Sequence, residues 1–144
     1  MIEITILVVM LLAGIAVGLY LRGREGTVRP ATLDKDTDER AELLAAAGIT
    51  GSGPAVLHFS AEWCGPCTAV RRVVAGVTED LADSPQPPRD IEVDIDADPT
   101  LAKALNVMSL PTTFVFDAEG RERFRISGVP QAGDLRSALT PLTV

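Results

Sequence analysis

The sequence predicts an α/β domain with a mixed central sheet flanked by helices, its last strands antiparallel, preceded by one N-terminal transmembrane helix. Three observations predict it. Short apolar runs alternate with stretches of helical character from Asp38 onward. A turn signal, Asp117-Ala-Glu-Gly120, separates the last two apolar runs, so these read as a hairpin. Ahead of all this, Ile4–Leu21 contains no charged residue.

Taken in order, residues 1–3 form a short tail and residues 4–21 the anchor. As a helix the apolar run is roughly 27 Å long, close to the thickness of a bilayer core. Arg22 and Arg24 end it, and Tyr20 stands where an interfacial aromatic belongs. A cleavable signal peptide has a basic leading region and a shorter apolar core. Here Glu3 precedes the run and no Lys or Arg does. Arg22, Arg24 and Arg29 follow the span, which by the positive-inside rule places the C-terminal domain in the cytoplasm. Gly14-x-x-x-Gly18 offers a helix-dimer face, although small residues are common in such helices. Residues 22–37 are polar, with Gly, Pro and mixed charges, and read as a flexible linker.

Residues 38–144 then form one domain. Ala55–Ser60 and Ile91–Ile95 read as buried strands. Thr112–Phe116 and Arg123–Ile126 form the hairpin arms. Helical stretches fall at Asp38–Ala47, Cys67–Ala82, Pro99–Leu105 and Gln131–Leu139. The proline-dense stretch Asp83–Asp90 is a surface connection. About 100 residues bury one core.

The chemistry concentrates in Trp63-Cys64-Gly65-Pro66-Cys67, which holds both cysteines of the chain. A strand leads in and a helix leads out. Unpaired N–H groups and the positive dipole end of a helix N-terminus stabilise a thiolate, the species that attacks a disulfide. Cys64 at the helix start is the nucleophile, and Cys67 one turn further in is the resolving thiol. Pro66 suits a first helical turn. Gly65 leaves the approach to Cys64 open. A tetrahedral zinc site wants four ligands, and only His58 is available to add a nitrogen. A structural disulfide closing so short a loop constrains the unfolded chain little. Both alternatives are weaker than a redox dithiol.

From about Pro54 to Leu139 the chain resembles the thioredoxin family. Phe59-Ser-Ala-Glu-Trp-Cys-Gly-Pro-Cys67 is similar to the family's active-site signature, and Ile91–Pro99 to its central strand and following loop. Leu110-Pro111-Thr112 resembles the loop whose proline is cis in that family. Gly120 and Ser127-Gly128 fall at its hairpin turn and substrate-binding loop. The resemblance implies a thioredoxin fold. It implies that Trp63 flanks and shields the dithiol and that Pro111 lies across from the sulfurs. It also implies that Leu110 offers backbone groups to an extended substrate and that Gly128 completes the groove, with Val129 at its edge.

Three positions depart from the pattern. His58, the one histidine, replaces a buried aspartate thought to help deprotonate the second cysteine. Imidazole suits that acid–base task near neutral pH. Glu92 falls where some relatives carry a lysine, so a His58–Glu92 pair is expected as a charge-swapped version. Arg72 replaces a helix-kinking proline, and Ser60 a second tryptophan.

The net charge of −7 argues against nucleic acid as a partner. No phosphate cradle or metal-ligand cluster stands out, so no cofactor beyond the disulfide is expected. The expected activity is a membrane-anchored thiol–disulfide oxidoreductase that reduces disulfide-containing proteins. Its expected partners are the bilayer and an upstream reductant such as thioredoxin reductase or a membrane electron carrier. The Gly-Pro dipeptide and apolar Leu110 resemble the reducing members. The rivals are an extracytoplasmic oxidase, isomerase or cytochrome-maturation reductase, and a tethered binding or chaperone module with incidental redox activity.

Overall fold

A computed structural model describes residues 1–23, 26–30 and 38–144. Arg24, Glu25 and residues 31–37, all in the expected linker, lie outside the described residues.

Helix α1 spans Ile2–Arg22, slightly more than the expected run, and none of its residues is buried. By length and composition it is able to cross a membrane. Gly23 closes it, its N–H donating to the Leu19 carbonyl at 3.0 Å.

The expected linker is partly structured. Val28–Pro30 forms β1, an edge strand antiparallel to β5 (Glu122–Ser127), with Val28 opposite Ile126. Proline is tolerated there because an edge strand leaves some N–H positions unpaired.

The remaining elements fall close to the expected places. They are α2 (Asp38–Ala46), β2 (Ala55–Ser60), α3 (Cys67–Asp80), β3 (Arg89–Asp94), α4 (Pro99–Ala104), β4 (Thr112–Phe116) and α5 (Ala132–Leu139). A 3₁₀ turn follows at Thr140–Leu142. The sheet order is β1-β5-β4-β2-β3, with β2 and β3 parallel and the other pairs antiparallel.

Central strands β2 and β4 are buried throughout because helices cover both faces. On one face Leu57, Phe59, Phe114 and Phe116 pack with Leu44 of α2 and Leu101 of α4. Phe59 and Phe114 meet edge to face at 5.9 Å between centroids. On the other face Val56, Val115 and Ile126 meet Val70, Val74 and Val77 of α3 and Leu135 and Leu139 of α5. Cys67, Val70, Val74 and Val77 recur at helical spacing, so one stripe of α3 fixes Cys67 against the sheet.

Strand β3 differs from the buried strand expected. It forms the sheet edge and alternates half-buried with exposed positions. Asp90, Glu92 and Asp94 occupy the exposed positions, and charge on an edge strand discourages pairing with another chain.

Candidate active site

The end of β2, the start of α3 and the loops before β4 and after β5 converge on the two cysteines. Cys64 and Cys67 are joined as a disulfide, with Cα atoms 5.5 Å apart. Helix α3 begins at Cys67 rather than Cys64, with Pro66 at the N-cap. Cys64 lies in the turn just before it, its N–H donating to the Ala61 carbonyl at 3.1 Å. The sulfur pair still stands at the helix N-terminus, where the positive end of the dipole acts on it. Cys64 is 8 % exposed and Cys67 1 %. Cys64 is therefore the sulfur an incoming disulfide reaches first. Cys67 Sγ lies 3.8 Å from the Phe59 carbonyl oxygen. Ala61, Ile95 and Leu110 form the apolar surround of the pair.

The Leu110–Pro111 peptide is cis. The Gly128 N–H donates to the Pro111 carbonyl at 2.9 Å, which joins the two loops. Gly128 has φ +88°, a conformation glycine adopts without steric cost. Pro66, Leu110, Pro111, Gly128 and Val129 line one open cleft of about 390 Å³. The structure thus brings Pro66, Leu110, Pro111 and Gly128 together along one cleft. Gly65 faces open space: a Cβ there would meet nothing within 4 Å. Trp63 is 70 % exposed, and its indole N–H donates to Asp96 Oδ2 at 3.0 Å. It presents a wide apolar face to solvent, one residue before Cys64.

His58 is 2 % exposed, in the middle of β2. The expected His58–Glu92 pair is not its hydrogen bond. The ring Nε2 is 3.0 Å from Asp90 Oδ1, and since a carboxylate only accepts, Nε2–H is the donor. Glu92 is His58's neighbour in the parallel register, but it bonds Arg71 Nε of α3 at 2.7 Å. Burial pushes the Glu92 carboxyl up. The Ser60 hydroxyl, the Arg71 guanidinium and the nearby His58 outweigh this and hold it below the ordinary carboxylate value. Across the other edge of β2, Thr113 is opposite His58. Its buried hydroxyl has no hydrogen-bond partner among the described residues.

Asp90, Arg71 and Thr113 escaped the sequence reading. Asp90 carried a signal, since it lies two residues before Glu92 on a strand and shares its face. Only the β2–β4 register reveals Thr113, and only the packing of α3 beside β3 reveals Arg71. Among the described residues, no three His, Cys, Asp or Glu side chains gather as a metal site.

Residues 36–141 match the family model described as Thioredoxin. The chain is 38 % identical over 73 residues to "Thioredoxin Asp f 28" of Aspergillus fumigatus, covering 51 % of this chain and 63 % of that protein. It thus spans just under two thirds of that relative's length. It is 37 % identical over 84 residues to a Staphylococcus aureus thioredoxin, covering 58 % of this chain and 68 % of that one. Among solved structures, oxidised mitochondrial thioredoxin 3 of Saccharomyces cerevisiae superposes with a TM-score of 0.58 at 24 % identity, over 71 % of this chain and 89 % of that one. Chloroplastic thioredoxin z gives 0.57 at 23 %, over 79 % and 96 %. At such identity these structures speak to the fold alone.

Proposed function

The chain belongs to the thioredoxin family, as a thioredoxin-like redox protein with a Cys-x-x-Cys disulfide, and on that premise we propose that it is a membrane-anchored reductase of protein disulfides. The observation that carries this reading is the asymmetric pair beside the cis proline, with Cys64 reachable and Cys67 buried behind it.

In the reduced protein the Cys64 thiolate attacks one sulfur of a substrate disulfide. A mixed disulfide forms and one substrate thiolate leaves. The Cys67 thiolate then attacks Cys64 Sγ, the Cys64–Cys67 disulfide closes, and the second substrate thiolate departs. Two electrons pass to the substrate, whose thiolates take up two protons. Leu110 presents backbone groups to the extended substrate. Pro111, Gly128 and Pro66 shape the groove, Trp63 adds apolar contact, and Gly65 leaves entry unobstructed. His58, oriented by Asp90, serves as the acid–base group for Cys67. Thioredoxin reductase or a membrane electron carrier returns the two electrons.

The anchor reading is supported by the uncovered apolar α1 and the arginines that follow it. A signal sequence passes the same length test, so extraction decides: an anchored chain stays in the membrane at alkaline pH at its full length. Reporters fused to the C-terminus decide the orientation, expected to be cytoplasmic.

The test of the chemistry is insulin reduction with dithiol turnover. The native chain is expected to reduce insulin, Cys64→Ser to be inactive, and Cys67→Ser to accumulate a mixed disulfide through Cys64. Absence of that adduct, with Cys64→Ser still active, sinks the reductase reading.

A further inference from the structure

The tether between α1 and the domain is far shorter than the sequence suggests. Gly26 is already bonded to the domain, its N–H donating to the Ser127 carbonyl at 2.7 Å. Gly26 has φ +76°, and a Cβ at this position would come 2.1 Å from the Val129 carbonyl oxygen. Only glycine lets the chain lie this close. From Gly26 the chain continues into β1, which pairs with β5. Helix α1 closes at Gly23. Whatever path the two intervening residues take, the three steps from Gly23 to Gly26 span at most about 11 Å.

The attachment point is itself part of the groove. Ser127, Gly128 and Val129 line the cleft, and Gly128 is bonded to Pro111 beside the disulfide. Leu21, in the last turn of α1, lines the same cleft. A linker running from residue 22 to 37 would allow a root-mean-square reach of about 20–24 Å and free rotation of the domain. A two-residue leash fixed at the groove allows neither.

We propose that the redox centre is held at the bilayer surface, and that its substrates are membrane proteins with a disulfide next to their own membrane span. This rests on reading α1 as a membrane helix and the cysteine pair as a reductase. The apolar core ends near Arg22, and the headgroup layer adds about 5–7 Å beyond it. The cleft wall that holds Gly26 is therefore kept at or just above the headgroup layer, since Gly26 lies within about 11 Å of Gly23. A membrane-bound substrate shares that layer and meets Cys64 at high effective concentration, whereas a disulfide far above the surface does not. The redox step is unchanged: the reduced pair gives two electrons to the substrate disulfide and closes as Cys64–Cys67.

The test uses the full chain, pre-reduced and freed of reductant, in nanodiscs with one of two single-span peptides. One carries a disulfide loop directly after its span, and the other carries the same loop above a rigid helical spacer of about 40 Å. Single-turnover thiol release is expected to be at least tenfold faster for the near loop. Inserting about 20 Gly/Ser residues between Arg24 and Glu25 is expected to bring the two rates within about twofold. Equal rates in the native chain overturn the proposal, as does a tenfold preference that survives the insertion. Insulin reduction in detergent and flotation with liposomes separate the causes. If both hold while the preference is absent, only the proposal falls. Loss of insulin reduction removes the reductase reading, failure to float removes the anchor, and either takes the proposal with it.

Discussion

His58, within β2, and Asp117, just after β4, are both polar and almost equally buried, at 2 % and 3 % exposure. Their surroundings differ. Asp117 follows β4 and accepts hydrogen bonds from the N–H groups of Glu119 (3.1 Å) and Arg121 (2.9 Å). It also accepts from Arg121 Nε (2.9 Å) and Arg123 Nη1 (3.3 Å). These bonds pin the hairpin turn at Gly120, so the carboxylate works as part of the backbone. His58 has one carboxylate at 3.0 Å, a second acid beside it in register, and an orphaned hydroxyl across the sheet. A saturated polar group specifies structure. A buried imidazole beside an orphaned hydroxyl, on the strand that leads into the redox pair, is where a fold departs from local consistency for function.

The largest effect is expected at Asp117. Asp117→Ala strands two backbone donors in the turn and is expected to cost about 2–3 kcal/mol in urea unfolding. The guanidinium contacts add little, because both arginines are largely exposed. The activity of the molecules that remain folded is expected to be native. Loss of activity without loss of stability would erase the distinction between the two sites.

Acid sharpens the same contrast. Burial pushes Asp117 up, but the Arg121 N–H and the Arg121 and Arg123 guanidiniums hold it below the usual aspartate value. A depressed carboxyl gives stability that is complete above the unfolded-state value, near 3.9, and is lost as pH falls through the lower folded value. The native chain is therefore expected to weaken steeply below about pH 4, and Asp117→Asn to show a flatter acid limb. Parallel slopes in urea midpoints between pH 2.5 and 6 would contradict this.

At His58 the effect is expected in rate. His58→Gln is expected to leave mixed-disulfide formation by Cys64 within about twofold and to slow release through Cys67 at least tenfold, with a changed pH profile. Asp90→Asn, which keeps the ring but alters its orienting partner, is expected to give a smaller slowing of the same step. Single-turnover quench measurements separate the steps. Unchanged release across pH would make His58 a core residue like any other.

Much of this was legible in the sequence because the signals were local. The cysteine spacing, the apolar stripe of α3 and the Asp117–Gly120 turn each lie within a few consecutive residues. The signature around Cys64 and the Leu110-Pro111 loop were legible through resemblance. What escaped depended on contacts between distant segments. Val28–Pro30 is too short and polar to read as a strand until β5 is beside it. Gly26 looked like linker because the carbonyl it accommodates belongs to Val129. Glu92 was assigned to His58 correctly as a neighbour and wrongly as a partner. The pleat brings Asp90 onto the same face, and Arg71 of α3 claims Glu92.

The smallest predicted effect tests whether the neighbourhood of His58 is under-satisfied at all. Thr113 keeps a buried hydroxyl without a partner among the described residues, directly across from His58. Valine has nearly the same shape and no polar atom to desolvate. Thr113→Val is therefore expected to stabilise the chain by about 1 kcal/mol, read as a higher urea midpoint with an unchanged slope. A loss of stability instead would mean that the hydroxyl does find a partner in solution, with a bound water bridging it to the imidazole as the fitting candidate. The His58 environment would then be as saturated as that of Asp117, and the contrast between the two sites would reduce to which donors each one holds.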